Sequence, residues 1–189
     1  SAFFDAIRIS DSGSVITADP LCVPQSDGAV LCSPPPTGVT QWDSISDGTI
    51  DLAAGDDTLT MGLDEVLPSP TNSYQSWKVD AGAGDDRISA PDTPPHSVLV
   101  HWTGGPGADA ADGNAVTVHY EDRQAPLHVT IGEGADDGEA GEGDDIGPRV
   151  VGVIGGSGND VIRRTAATPT GDAAFGFSPI RDTVISGGD

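Results

Sequence analysis

The phrase Gly-x-Gly-x-Asp occurs five times in this chain, at Gly82-Gly84-Asp86, Gly105-Gly107-Asp109, Gly132-Gly134-Asp136, Gly141-Gly143-Asp145 and Gly156-Gly158-Asp160. From the glycine and aspartate frequencies chance gives about one copy or none, so the recurrence needs a structural cause. A degenerate copy, "LAAGDDTL", has Ala53 for the first glycine, and the final "SGGD" begins another. Aligning what precedes the phrases puts Ile50, Val79, Trp102, Val129, Val153 and Ile185 in one column, at separations of 29, 23, 27, 24 and 32 residues. Each lies in a short stretch dominated by β-branched residues ("TIDL", "WKVDA", "VLVHW", "LHVTI", "VVGVI", "DTVI"), and no apolar stripe of helical period competes. An apolar residue often stands two places after the aspartate, as at Leu59, Ile88 and Ile162. Ala111 and Gly138 hold that place in two copies, which marks those turns as weaker.

A repeat of this size implies stacking, because one unit cannot bury its own strand while neighbours bury each other's. Each unit re-enters in the same direction, so its strands pair in parallel. The expected fold is all-β: a parallel β-roll or β-helix-like solenoid with irregular coils of about 23–32 residues and Gly/Asp turns stacked on one edge. Proline-rich stretches, "LPSPTN" and "APDTPPH", suit the return loops. The competing arrangement is a β-sandwich with unrelated glycine-rich loops.

Charge sharpens the reading. Thirty acidic residues face eight basic ones, for a net charge of −22; most of the acids are Asp, and Lys78 is the single lysine. Such a chain repels phosphate and is no partner for nucleic acid or an anionic membrane surface, and no run is apolar enough to span a bilayer. Leu, Ile, Val and Phe make up about a fifth of the residues, near the limit below which a highly charged chain stays unfolded. Neutralising the carboxylates is therefore expected to decide whether it folds. Cys22 and Cys32 flank Asp27-Gly28, a hairpin-turn signal. They read either as a disulfide, which implies export to a secreted, extracellular setting, or as two buried thiols. Two units follow: residues 1–45 as a strand-and-hairpin cap, and residues 46–189 as the repeat region, cut in mid-phrase at its C-terminal end and read as a piece of a longer exported protein.

The turns have their own chemistry. Glycine permits positive φ, which lets carbonyl oxygens follow a tight arc, and the aspartate adds a short carboxylate. Two stacked turns make a cage of hard oxygens suited to Ca2+; Mg2+, which keeps its waters, fits less well. Thiolates and paired histidines are absent from the turns, against zinc or copper. Without an ion the stacked aspartates repel one another, so binding free energy becomes folding free energy.

"GGSGNDVI" and "DAGAGDDRIS" resemble the haemolysin-type (RTX) calcium-binding repeat, and Val116–Ile162, with the "CVPQSDGAVLC" hairpin, is similar to RTX-containing secreted proteins of actinobacteria. The resemblance spans most of Cys22 to Asp189. It implies a parallel β-roll with Ca2+ held by Gly82, Gly84 and Asp86; by Gly105, Gly107 and Asp109; and by Gly156, Gly158 and Asp160; with Asp57, Asp136 and Asp145 as further candidates. The uninterrupted nine-residue period of that family is kept here only between Asp136 and Asp145. "ADDGEAGEGDD" reads either as an ion site of its own, from Asp137, Glu142 and Asp145, or as a solvated acidic loop.

Other chemistries fit less well. No Gly-x-Gly-x-x-Gly, Gly-Lys-Ser/Thr or Gly-x-Ser-x-Gly is present. His96, His101, His119 and His128 are scattered, and Glu121 and Asp122 read as a solvated strand end beside Arg123. Trp42 and Trp77 are candidates for contact with cell-surface or extracellular polysaccharide, whereas Trp102 lies in the apolar column. The expectation is a non-enzymatic, secreted calcium-binding module of structural or adhesive role. The alternative is an accessory region of a larger secreted hydrolase whose catalytic domain lies outside this chain.

Overall fold

Stretches that alternate β-branched or aromatic residues with polar ones, each ending at a glycine turn, become strands. The computed structural model describes residues 7–9, 22–26, 30–32, 47–63, 75–90, 98–165 and 185–186; their regular structure is all strand, with no helix, and no helix long and apolar enough to cross a membrane. The strands are β1 (Ile7–Ile9), β2 (Cys22–Pro24), β3 (Val30–Cys32), β4 (Asp47–Asp51), β5 (Thr58–Thr60), β6 (Gly62–Leu63), β7 (Gln75–Asp80), β8 (Arg87–Ser89) and β9 (Val98–Thr103). They continue with β10 (Ala110–Asp112), β11 (Val116–His119), β12 (Leu127–Ile131), β13 (Ala135–Glu139), β14 (Asp144–Ile146), β15 (Gly152–Ile154), β16 (Val161–Arg164) and β17 (Ile185–Ser186).

One sheet is wholly parallel, in the order β17-β15-β11-β9-β7-β4. Its register aligns Ile50, Val79, Trp102, Val118, Val153 and Ile185. A second sheet runs β16-β12-β13-β14-β10-β8-β5 and aligns Leu59, Ile88, Ala111 and Ile146. Inward side chains of both sheets form one core cluster, in which Trp102, Leu59, Ile88 and Ile146 are almost wholly buried. Turns 52–57, 81–86, 104–109, 120–126 and 155–160 carry the chain from the first sheet to the second.

The apolar column of the first sheet corrects the sequence alignment at one place. Val118, not Val129, lies between Trp102 and Val153. Val129 pairs with Ile162 in the second sheet. The separations thus become 29, 23, 16, 35 and 32 residues, wider than the range expected. The cause is an antiparallel insertion: β13 pairs with β12 on one side and β14 on the other, and β14 takes the place beside β10. The insertion adds two strands to the second sheet and none to the first. Two Gly-x-Gly-x-Asp phrases, at 132–136 and 141–145, lie at its bends rather than between the first sheet and the second.

A small antiparallel sheet, β2-β3-β1-β6, joins the N-terminal strands to the segment just after β5. Cys22 and Cys32 stand directly opposite each other in it, a backbone spacing within reach of a disulfide; their side chains, the Asp27-Gly28 turn, Trp42, His96 and, Ala90 apart, both proline-rich stretches lie outside the described residues.

Glycine is needed where layers touch. A Cβ on Gly105 would lie 1.5 Å from the Gly82 carbonyl oxygen, at φ +100°. Gly105→Ala is therefore expected to cost at least about 3 kcal/mol. Gly152→Ala, whose Cβ would meet nothing closer than Thr117 Cγ2 at 3.7 Å, should stay within about 0.5 kcal/mol of the parent. Denaturant midpoints of the two variants in one buffer test this; equal stabilities would refute the layer contact.

Candidate metal site: the stacked turns

The first three turns superpose residue on residue. Ala53 and Gly55, Gly82 and Gly84, and Gly105 and Gly107 all have positive φ, from +73° to +150°. A Cβ on Gly82 would meet Ala53 O at 1.5 Å, one on Gly84 would meet Gly55 O at 1.9 Å, and one on Gly107 would meet Gly84 O at 1.8 Å. The glycines are thus required twice, by backbone conformation and by the carbonyl of the layer before. This fits the degenerate copy: Ala53 belongs to β4's turn, at the edge of both sheets, where among the described residues no earlier turn stacks on it. The residues between the glycines link the layers, Gly55 N donating to Ala83 O (2.9 Å) and Gly84 N to Pro106 O (3.1 Å).

This superposition stacks the aspartates. Asp57 N donates to Asp86 Oδ1 (2.8 Å), Asp86 N to Asp109 Oδ1 (2.9 Å) and Asp109 N to Asp144 Oδ1 (2.9 Å). All four carboxylates are at most 2% exposed. A second, outer ladder runs the other way, with Asp85 N donating to Asp56 Oδ1 (3.0 Å) and Ala108 N to Asp85 Oδ1 (2.9 Å). Burial, with the charges of Asp144, Asp86 and Glu142, pushes Asp109 up to about 7 against the hydrogen bond from Asp86 N. Burial and Glu142 push Asp144 up to about 6; the Tyr120 hydroxyl, the Asp109 amide and Arg123 oppose this. Tyr120 closes the inner ladder, its hydroxyl donating to Asp144 Oδ2 at 2.6 Å.

The sequence-derived candidates separate into three groups. Asp57, Asp86, Asp109 and Gly82, Gly84, Gly105 and Gly107 come together in the stack. Gly156, Gly158 and Asp160 form the fifth turn, without positive φ. Gly156 and Gly158 lie against the carbonyls of Arg123 and Ala125 in the fourth turn. There Asp160 Oδ1 accepts from Leu127 N (3.1 Å), and Oδ2 is buried with no hydrogen-bond partner among the described residues. Asp136 is exposed and Asp145 half-buried, while their neighbours Asp137 and Asp144 point inward. Asp137 is a clasp, accepting from Thr130 N (2.5 Å) and Ile146 N (3.0 Å). Within the insertion, Glu142 faces Arg123 rather than a shared ion site with Asp137 and Asp145. Asp144, Tyr120 and Arg123 were not singled out as site residues by sequence. The only hint was the doubled aspartate of "GEGDD", whose register decides which carboxylate turns inward.

The donor set tests what such a site can hold. Among the described residues no three His, Cys, Asp or Glu side chains form a ready metal cluster, so an ion here must draw on backbone carbonyls as well as carboxylates. Hard oxygens with a surplus of buried negative charge suit a hard divalent cation and do not suit thiophilic metals. Off the stack, His101 Nδ1 and His119 Nε2 lie 2.9 Å apart and His119 Nδ1 meets Glu121 Oε2 at 3.0 Å, while His128 is exposed. Trp77 and Trp102, the two described tryptophans, are both buried and form no surface strip.

The raised carboxylate pKa values make stability depend on pH. Folded Asp109 and Asp144 hold protons that the unfolded chain, at the ordinary 3.8, has released. In chelator, the stability these two groups contribute should therefore be greatest below about pH 4 and be lost progressively as pH rises from 4 to 7, by on the order of 2 kcal/mol. Asp109→Asn keeps the acceptor for Asp86 N and removes the charge; it should raise stability at pH 8 and flatten the profile. A profile that rises with pH in chelator would contradict this electrostatic account. No protein-family model, curated protein or solved structure matches this chain, so its function is argued from the geometry of these turns.

Proposed function

We propose that this chain is a secreted calcium-binding repeat module, a parallel β-roll or β-helix-like solenoid whose folding is completed by Ca2+, with a structural or adhesive role. The observation that carries the reading is the file of buried carboxylates Asp57, Asp86, Asp109 and Asp144 held one layer apart by their own backbone amides. Like charges at strand spacing, roughly 5 Å, repel strongly in a dry site unless neutralised. A bound calcium ion would supply that neutralisation. The carboxylates of Asp57, Asp86 and Asp109 and the carbonyls of Gly82 and Gly84 are the groups to hold it, with the fifth turn, around Asp160, as a second place. The chain's own part is to bring these oxygens into line: the glycines let the turns touch, and the amides orient each carboxylate.

Protons and calcium then compete for the same oxygens, so calcium affinity should rise from pH 6 to pH 8. Calorimetric titration and thermal melts test the reading. Ca2+ is expected to release or absorb heat saturably and raise the melting temperature by about 10 °C or more, and Mg2+ by much less. Asp160→Ala should remove one site and reduce the gain. A chain that takes up no Ca2+ and melts identically in chelator and in millimolar Ca2+ ends the proposal; unchanged stoichiometry in Asp160→Ala removes only that residue from the ligand set.

A further inference from the structure

The fourth turn, residues 120–126, stands between the glycine turns at 104–109 and 155–160 and differs from both. It reads "YEDRQAP", with neither glycine nor an inward aspartate at the end, where Leu127 N instead donates to Asp160. It carries Arg123. The guanidinium is 11% exposed; its Nη2 donates to Gly105 O and pairs with Glu142 Oε1 at 2.5 Å. Glu142 is 9% exposed and its other oxygen accepts from Glu139 N (2.8 Å). Asp144 lies near enough to feel both charges, and Asp109 feels that of Glu142. A fixed positive charge thus sits against a turn carbonyl and among buried carboxylates, the same surroundings that the glycine turns offer a free cation.

We propose that Arg123 is a tethered cation that takes, above the third turn, the place an ion takes between glycine turns, and so sets how many ions the stack binds. The inference rests on the calcium reading for the ion count, but its electrostatic core does not. A planar guanidinium can serve carbonyl and carboxylate together, so the layers around β10, β11 and β14 carry a neutralising charge of their own. The sequence carries the same logic: the fourth turn, which has neither glycine of the phrase, supplies the charge that the phrase would recruit.

Two measurements test this. The first is calcium titration of the full chain and of Arg123→Ala. The variant should bind one more Ca2+ than the parent, and its melting temperature should fall in chelator and recover in millimolar Ca2+. An equal loss with and without Ca2+, at unchanged stoichiometry, overturns the proposal and leaves Arg123 a packing residue. The second is made entirely in chelator. If Arg123 neutralises Glu142, adding Glu142→Gln to Arg123→Ala should restore at least half of the lost melting temperature; further loss would overturn the role. Should Arg123→Ala not fold, Arg123→Lys replaces it: retained charge should keep the parent's ion count, and a gained ion would count against charge as the operative property. If the parent binds no Ca2+, the calcium reading fails alone and the chelator measurement still decides the role of Arg123.

Discussion

The contact between a glycine α-carbon in one layer and a turn carbonyl in the layer before governs this molecule. Gly82 on Ala53 O, Gly105 on Gly82 O and Gly107 on Gly84 O allow no side chain between them. With that contact made, the parallel strands on either side fall into register, and the aspartate that ends each turn comes to lie over the one before. The apolar columns and the carboxylate file are two consequences of one stacking distance. The apolar columns favour folding; the file opposes it, because burial raises the cost of each charge.

The fold meets that cost by several local means, and their distribution is informative. Asp137 accepts two backbone amides. Asp144 takes one amide and the Tyr120 hydroxyl. Asp112 is gripped by Arg149 through contacts of 3.1, 3.1 and 2.6 Å, and Glu142 is paired with Arg123. These devices gather in the central part of the chain, around the inserted strands β13 and β14. In the first turns the ladder amides orient the carboxylates, Asp57 N donating to Asp86 and Asp86 N to Asp109.

Much of this was legible in the residues. The strand column, the parallel pairing and the stacking of the turns at 53–57, 82–86 and 105–109 follow from the repeat, because a period of this length with one buried strand per unit has few other solutions. The phrases at 132–136 and 141–145 were not separable from the others by pattern. Both have the glycines and the aspartate, yet they close an antiparallel excursion, because "VTVHY" already fills the first-sheet position that "LHVTI" was expected to take. For the same reason Asp144 rather than Asp145 aligns with Asp109: the pairing of Ala110 with Asp145 sets the register, and a one-residue shift reverses which side chain faces inward.

Sequence by itself determined that this chain would be all-β, built of repeated strands and glycine-aspartate turns, and strongly acidic; those are properties of composition and period. Tertiary structure alone decided which turns share an edge, which of two adjacent aspartates is buried, and that an arginine enters the stack where the phrase is missing. Such outcomes depend on which strands become neighbours, and neighbours in space are chosen by the packing of the whole core, not by any short run of residues.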